Sequence, residues 1–306
     1  MIITGGELLV EFVSHAPGCG LARTVAFSGP YPSGAPAIFA DQAARVGADV
    51  QLFGCVGRDP FGDLLIDRLR PDGVDVRQVA RSTGRTTGTA FVSYHPDGSR
   101  VFVFHLDGTA ADQIEAAPVI MPGALFHVSG ASLGNPRLRA VILEAVDQAR
   151  IMGRVSYDPN IRPELMQDPL IRSCIDQIVA ASDILLPSQE DLEALYPGTT
   201  PEAFIRDMLG AGKKAVVVKR GAMGAIGSNG GPLITVPPLL VNEVEPTGAG
   251  DCFCGTLLGL LDQGQDFEYA LRAANVAGAL HVTRRGPMEW NPTLNDIRPY
   301  LEPAGV

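Results

Sequence analysis

Short β-branched apolar runs alternate with longer stretches of helical period along most of this chain, the pattern of a parallel sheet covered by helices. Gly34-Ala35-Pro36 opens a helix over Ala37 to Val46, with proline tolerated in the first turn and Gly47 closing the far end. Val50 to Val56 reads as a buried strand, Asp59-Pro60 caps a helix over Phe61 to Leu69, and Asp72-Gly73 turns the chain out of it. From Leu125 the alternation is regular: strand Leu125 to Val128, helix Arg137 to Arg150, strand Arg154 to Tyr157, helix Leu170 to Ala180, strand Asp183 to Leu186. Further strands are predicted over Ala215 to Lys219, around Ala225 to Val236 and over Val241 to Val244, and helices over Asp251 to Leu261 and Tyr269 to Val282.

Between Gly88 and His105 the period changes to two. Thr89 to Tyr94 and Arg100 to Phe104 flank Pro96-Asp97-Gly98, a hairpin signature. Such a hairpin is either an antiparallel excursion at a sheet edge or a flap over a cleft, and the pattern alone leaves both open. No repeat or Pro/Ser-rich linker divides the sequence, so one α/β domain is expected over residues 1–306.

Composition narrows the function classes. With 46% hydrophobic and 19% charged residues the chain is an ordinary globular protein, and a formal charge of −10 argues against nucleic acid as its partner. There is no positive segment before an apolar stretch at the start and no run of about 18 apolar residues, so neither a signal peptide nor a membrane span is expected. Five cysteines, with Cys252 and Cys254 separated by one residue, lack zinc-type spacing and fit a reduced, cytoplasmic protein. Cys252 and Cys254 read as packing residues, and Gly255 and Gly259 as sites of close helix packing on the sheet.

Four predicted strand ends carry polar clusters, and in open parallel α/β sheets ligands bind beyond the carboxyl ends of the strands. Asp158-Pro159-Asn160-Ile161-Arg162 follows one strand, Ser188-Gln189-Glu190-Asp191 the next, and Lys219-Arg220-Gly221 a third. The fourth is Glu245-Pro246-Thr247-Gly248-Ala249-Gly250-Asp251. Its Gly-Ala-Gly turn presents bare N–H groups at the positive end of a helix, with a carboxylate alongside. Singly, each cluster is an ordinary turn, cap or strand end. Jointly they offer an amide cradle, a base, cations and acids, the parts that phosphoryl transfer to a hydroxyl requires.

At these residues the chain resembles the PfkB (ribokinase-like) carbohydrate kinases. Ser33-Gly34-Ala35-Pro36-Ala37, then Gly54 to Gly62 with Asp72-Gly73-Val74, and finally Glu245 to Asp251 look like the two signature regions of that family, and the other three clusters match in order and spacing. The resemblance implies a three-layer αβα fold, a mainly parallel sheet flanked by helices, with a small β lid from about 12–32 and 86–108. It implies ATP-dependent phosphorylation of a sugar hydroxyl, with Asp251 as base and the amides of Gly248, Ala249 and Gly250 as anion hole. By the same analogy Ser188, Lys219, Gly221 and Gly224 lie along the nucleotide and Asn275 and Gly278 near the adenine. Mg²⁺ would be held through phosphates and water with Glu190 or Asp191, and relatives also use a monovalent cation such as K⁺.

The sugar side would draw on Glu11, Gly34, Ala35, Tyr94, His105, Asn160, Arg162 and Asp251, under a lid that in relatives often pairs two subunits into a homodimer. Two departures from the pattern bear on the substrate. Ile38 stands where relatives often carry asparagine, and Phe104-His105-Leu106 replaces the Tyr-Arg pair with which 2-keto-3-deoxygluconate kinases meet their sugar acid. A buried carboxylate without a cation is costly, so a ketohexose of the fructose or tagatose type ranks first and the sugar acid second. Phe102 and Phe104 keep a nucleoside kinase open as a third reading. A non-catalytic sugar-binding protein is the alternative of another class, opposed by the intact Gly248 to Asp251 turn.

Overall fold

The computed structural model describes residues 1–16, 18, 20–95, 100–161 and 168–301. In chain order the strands are β1 (Ile2–Gly5), β2 (Leu9–Ser14), β3 (Phe27–Ser33), β4 (Val50–Gly57), β5 (Asp75–Ser82), β6 (Gly88–Tyr94), β7 (Arg100–His105), β8 (Leu125–Ser129), β9 (Arg154–Asp158), β10 (Ile184–Leu185), β11 (Ala215–Lys219), β12 (Ala225–Ser228) and β13 (Ile234–Val236). The helices are α1 (Ala35–Arg45), α2 (Pro60–Leu69), α3 (Pro136–Met152), α4 (Pro169–Ala181), α5 (Gln189–Leu195), α6 (Pro201–Gly210), α7 (Ala249–Asp262), α8 (Phe267–His281) and α9 (Leu294–Ile297).

Nine strands form the main sheet in the order β13-β12-β11-β10-β9-β8-β1-β4-β5. From β11 across to β5 every pairing is parallel, and β12 and β13 add an antiparallel edge. Strand alternation sends neighbouring side chains into two separate cores. Ile2 joins the core shared with α1, α2, α7 and α8, and Ile3 the core shared with α3, α4, α5 and α6. The sheet is therefore sandwiched between two helical layers, as the sequence pattern predicts.

The hairpin is no edge excursion of this sheet. It belongs to a second sheet of order β3-β2-β6-β7, in which β2 pairs parallel to β6 and antiparallel to β3. Asp59 joins the two sheets: besides capping α2 through the Gly62 N–H at 2.9 Å, it accepts from the Thr87 N–H at 2.7 Å and hydroxyl at 2.8 Å, just before β6.

Two expectations are corrected. Val241 to Val244 is not a strand; both valines are exposed, at 36% and 47%, on a loop whose Val244 and Glu245 amides donate to the Val282 carbonyl. Gly255 and Gly259 do serve close packing, but of α7 on the helix α1 and not on the sheet. A Cβ on Gly255 would lie 2.6 Å from the Phe39 carbonyl oxygen, and one on Gly259 2.8 Å from the Val46 side chain. Gly255→Ala should therefore cost about 1–3 kcal/mol by overpacking, read as a lower urea midpoint at unchanged m-value. Parental stability would mean that the α1–α7 spacing adjusts freely.

Candidate active site

From β1 the chain builds the sheet outward in both directions, so the step between β1 and β8 is the point where strand order reverses and ligands are expected. A cavity of about 1190 Å³ lies there, along the carboxyl ends of β1, β8, β9, β10 and β11. β7 of the second sheet faces it through Arg100, Phe102, Phe104 and His105.

Gly248 is the N-cap of α7, and its φ of +88° suits glycine. Gly248, Gly250 and Asp251 line the cavity, at the helix end where orphan N–H groups and the dipole attract anions. Ala249, the third residue of the expected amide cradle, does not line the cavity: its amide donates to the Pro246 carbonyl at 3.3 Å within the turn. Asp251 is nearly buried at 8% exposure, and Asn160 donates from Nδ2 to its Oδ1 at 3.4 Å. Asn160 follows β9 in a left-handed conformation, φ +41°, and the same nitrogen lies 3.3 Å from the Ser129 hydroxyl. A non-glycine residue held at positive φ is costly, and such strain gathers at functional sites.

Beneath Asp251, Lys219 at the end of β11 forms an ion pair with Asp158 at the end of β9, and the Cys254 thiol of α7 lies 3.5 Å from the ammonium and 3.3 Å from the carboxylate. Burial opposes the Lys219 charge, but Asp158 outweighs it and holds the lysine above its ordinary pKa. Burial pushes the Asp158 carboxyl up while Lys219 pulls it back. Lys219, expected along the nucleotide, reaches the cavity wall, and its charge is already matched by Asp158.

Ser188 caps α5, and Asp191 completes a capping box, accepting from the Ser188 N–H at 2.7 Å and from the Ile161 N–H at 2.8 Å. Each Asp191 oxygen thus holds a backbone N–H, whereas Glu190 is exposed; both acids line the cavity. Among the described residues no group of three or more His, Cys, Asp or Glu could chelate a metal ion. The donors present fit Mg²⁺ kept mostly hydrated and held by phosphates, a mode natural to that ion.

On the other side, Glu11 of β2 is buried and accepts from the Ser33 hydroxyl at 3.3 Å. Gly34, Ala35 and Ile38 at the start of α1 line the cavity, as does exposed His105. Gly34 has φ +108°, and a Cβ there would meet the Glu7 carbonyl at 2.5 Å. Gly221 lines the cavity, but Gly224 does not: its α-carbon packs on the Val236 carbonyl. Asn275 and Gly278 also lie off the cavity. Asn275 donates to the Pro237 carbonyl at 2.9 Å, and Gly278 abuts the Ala249 carbonyl. Tyr94 is corrected from a sugar contact to a brace, its hydroxyl donating to Glu245 at 3.0 Å and lying 2.7 Å from the Thr247 hydroxyl. Burial raises the pKa of both Tyr94 and Glu245. The expected contact from Arg162 lies outside the described residues.

Sequence reasoning missed Glu7, Ser132 and Arg100 on the cavity wall. Ser132 donates to Glu7 across the β1/β8 step, and Arg100 donates to the Thr247 hydroxyl at 3.4 Å. The position of Arg100 at the end of the hairpin turn was the available signal.

Residues 21–294 match the model of the pfkB family carbohydrate kinases. The chain is 32% identical, over 99% of its length and 98% of the relative's, to Fructokinase-1 of Oryza sativa subsp. japonica. In structure it is similar to an Escherichia coli protein provisionally designated ribokinase II, solved with ATP and Mg²⁺, at TM-score 0.89 and 37% identity over 98% of each chain. It is also similar to fructokinase from Vibrio cholerae O395 with fructose, ADP and calcium ion bound, at TM-score 0.83 and 28% identity over 99% of each chain.

Removing one member of the Asp158–Lys219 pair strands the other charge. Lys219→Met should destabilise the fold by about 3 kcal/mol, and adding Asp158→Asn should recover part of that loss in chemical denaturation. Equal stability of Lys219→Met and the parent would contradict the buried pair.

Proposed function

We propose that this chain, which belongs to the pfkB family of carbohydrate kinases, transfers the γ-phosphoryl group of ATP to a hydroxyl of a ketohexose of the fructose or tagatose type. The observation that carries the reading is Asp251: a nearly buried carboxylate on the cavity, held by Asn160 beside the amides that open α7. A sugar hydroxyl hydrogen-bonded to Asp251 gives up its proton as its oxygen bonds to phosphorus, while the Gly248 and Gly250 amides and the α7 dipole stabilise the charge on the transferred group. Mg²⁺, carried in on the nucleotide with Glu190 near its water shell, would neutralise phosphate charge. The nucleotide would run past Gly221 and Ser188, with its base toward the side of α8 that carries Asn275 and Gly278.

A neutral acceptor suits the sugar side. Glu7, Glu11 and Asp251 accept hydrogen bonds from hydroxyls and repel a substrate carboxylate, and Ile38 and Phe104 supply apolar walls. The relatives named fructokinase support the same choice. A second reading, a 2-keto-3-deoxygluconate kinase, is favoured by one observation, Arg100 on the cavity wall.

The four-stranded sheet acts as a lid that keeps water from competing with the sugar. Its edge strand β7 exposes Val101 and Val103, a surface suited to pairing with a second copy in a homodimer. No described helix is long and apolar enough to cross a membrane, and Cys55, Cys174, Cys252 and Cys254 are free thiols, which supports a cytoplasmic setting.

A coupled ADP-release assay tests the reaction. Turnover should require both a divalent cation and a ketohexose, with K⁺ varied in the same assay. Asp251→Asn should lower kcat by roughly 10²–10⁴-fold while a thermal shift by the sugar persists. Turnover within about tenfold of the parent would remove Asp251 from the role of base.

A further inference from the structure

Behind the amide turn lies a buried histidine that the reaction above does not use. His281, the last residue of α8, places Nε2 2.8 Å from the Thr247 carbonyl oxygen and Nδ1 2.9 Å from Oδ1 of Asn291. Asn291 donates from Nδ2 to Asp41 at 2.6 Å, and Asp41, fully buried on α1, accepts from Arg68 of α2 at 2.9 Å. We propose that His281 is a positioning residue for phosphoryl transfer: its Nε2–H holds the Thr247 carbonyl and thereby aims the Gly248 amide into the cavity, with Asn291 and Asp41 fixing the ring. This role presupposes that Gly248 faces a transferred phosphoryl group, as in the reaction proposed above.

Peptide planarity makes the link. The C=O and N–H of a trans peptide point in opposite directions within one rigid plane. The Thr247 carbonyl points at the imidazole, so the N–H of Gly248 in the same peptide points away from it, on the side where Gly248 lines the cavity. The fit is close: a Cβ on Gly248 would lie 2.9 Å from His281 Nε2. Residue 248 is thus restricted to glycine by the ring as well as by its φ.

Donor and acceptor accounting shows why the hold is firm. A carbonyl only accepts, so Nε2 carries the hydrogen. If the Asn291 oxygen faces the ring, Nδ1 is protonated too, and an imidazolium balances an ionised Asp41. If the amide is reversed, Asn291 donates to Nδ1 and accepts from a protonated Asp41. Both arrangements keep Nε2–H on Thr247. Burial pushes the Asp41 carboxyl up to about 7, against the pull of Arg68, and pushes the His281 ring below its ordinary value, whereas the Asn291 Nδ2 contact with the Ile38 carbonyl at 3.4 Å belongs to the first arrangement.

Steady-state ADP release with ATP and a ketohexose distinguishes positioning from packing. His281→Ala should lower kcat by at least about tenfold, approaching the loss of one anion-hole donor, with the sugar KM changed by less than about threefold. His281→Gln, whose amide N–H can reach the same carbonyl, should recover most of kcat. Parental kcat in His281→Ala, or equal losses in both variants, would overturn the role. A separate readout needs no turnover. In protein carrying isotope-labelled histidine, NMR should find His281 Nε2 protonated from about pH 6 to about pH 9, and a bare Nε2 in that range would overturn the proposal. If that signature holds while no sugar is phosphorylated, the proposed reaction fails and the hydrogen-bond array stands.

Discussion

The close approach of α7 to α1 is the constraint on which the site depends. Gly255 and Gly259 bring the two helices together with no room for a side chain between them. That contact fixes where α7 begins, and at its beginning the Gly248 and Gly250 amides, the helix dipole and Asp251 converge on the cavity. The same helix sets Cys254 against Lys219 and Asp158, so α7 is also tied to the ends of β9 and β11. Tyr94 of the second sheet braces the preceding loop through Glu245, and His281 braces it from α8.

The electrostatic design is economical. In a chain of net charge −10, the Lys219 cation beneath the turn is neutralised by Asp158. In the proposed reaction the transferred group is met by backbone dipoles, which need no reorganisation during the step, with Arg100 also on the cavity wall. Two acids, Glu7 and Glu11, line the side of the cavity that the proposed reaction gives to the sugar. In the proposed reaction a neutral polyol and a polyanionic nucleotide would thus be met by different chemistry on the two sides of Asp251.

Much of this was legible in the sequence because helix ends are written locally. The Asp59 cap and the Ser188–Asp191 box appear in the structure as the spacing implied. The Gly248 turn stood out for the same reason, since glycine readily takes the positive φ that such a helix start uses. What depended on distant partners was not legible. β3 contains Pro30 and Pro32, alternates poorly, and is a strand only because β2 pairs with it. Val241 to Val244 looked like a strand because β-branched valines bracket it, yet none of the described strands pairs with it. Whether Lys219 met a ligand or a carboxylate depended on Asp158, and whether Tyr94 met sugar or Glu245 depended on how the two sheets face each other. Nothing local marked His281, whose partners Thr247, Asn291 and, through Asn291, Asp41 come from three other parts of the chain.

The central claim is that the cavity moves a phosphoryl group from ATP to a sugar hydroxyl and not to water. The most direct measurement supplies ATP labelled in its γ-phosphoryl group together with fructose and follows where the label goes. The account predicts label in a sugar monophosphate, formed in step with ADP. Label appearing as inorganic phosphate while fructose stays unmodified, or no ADP formed with any ketohexose, would contradict it.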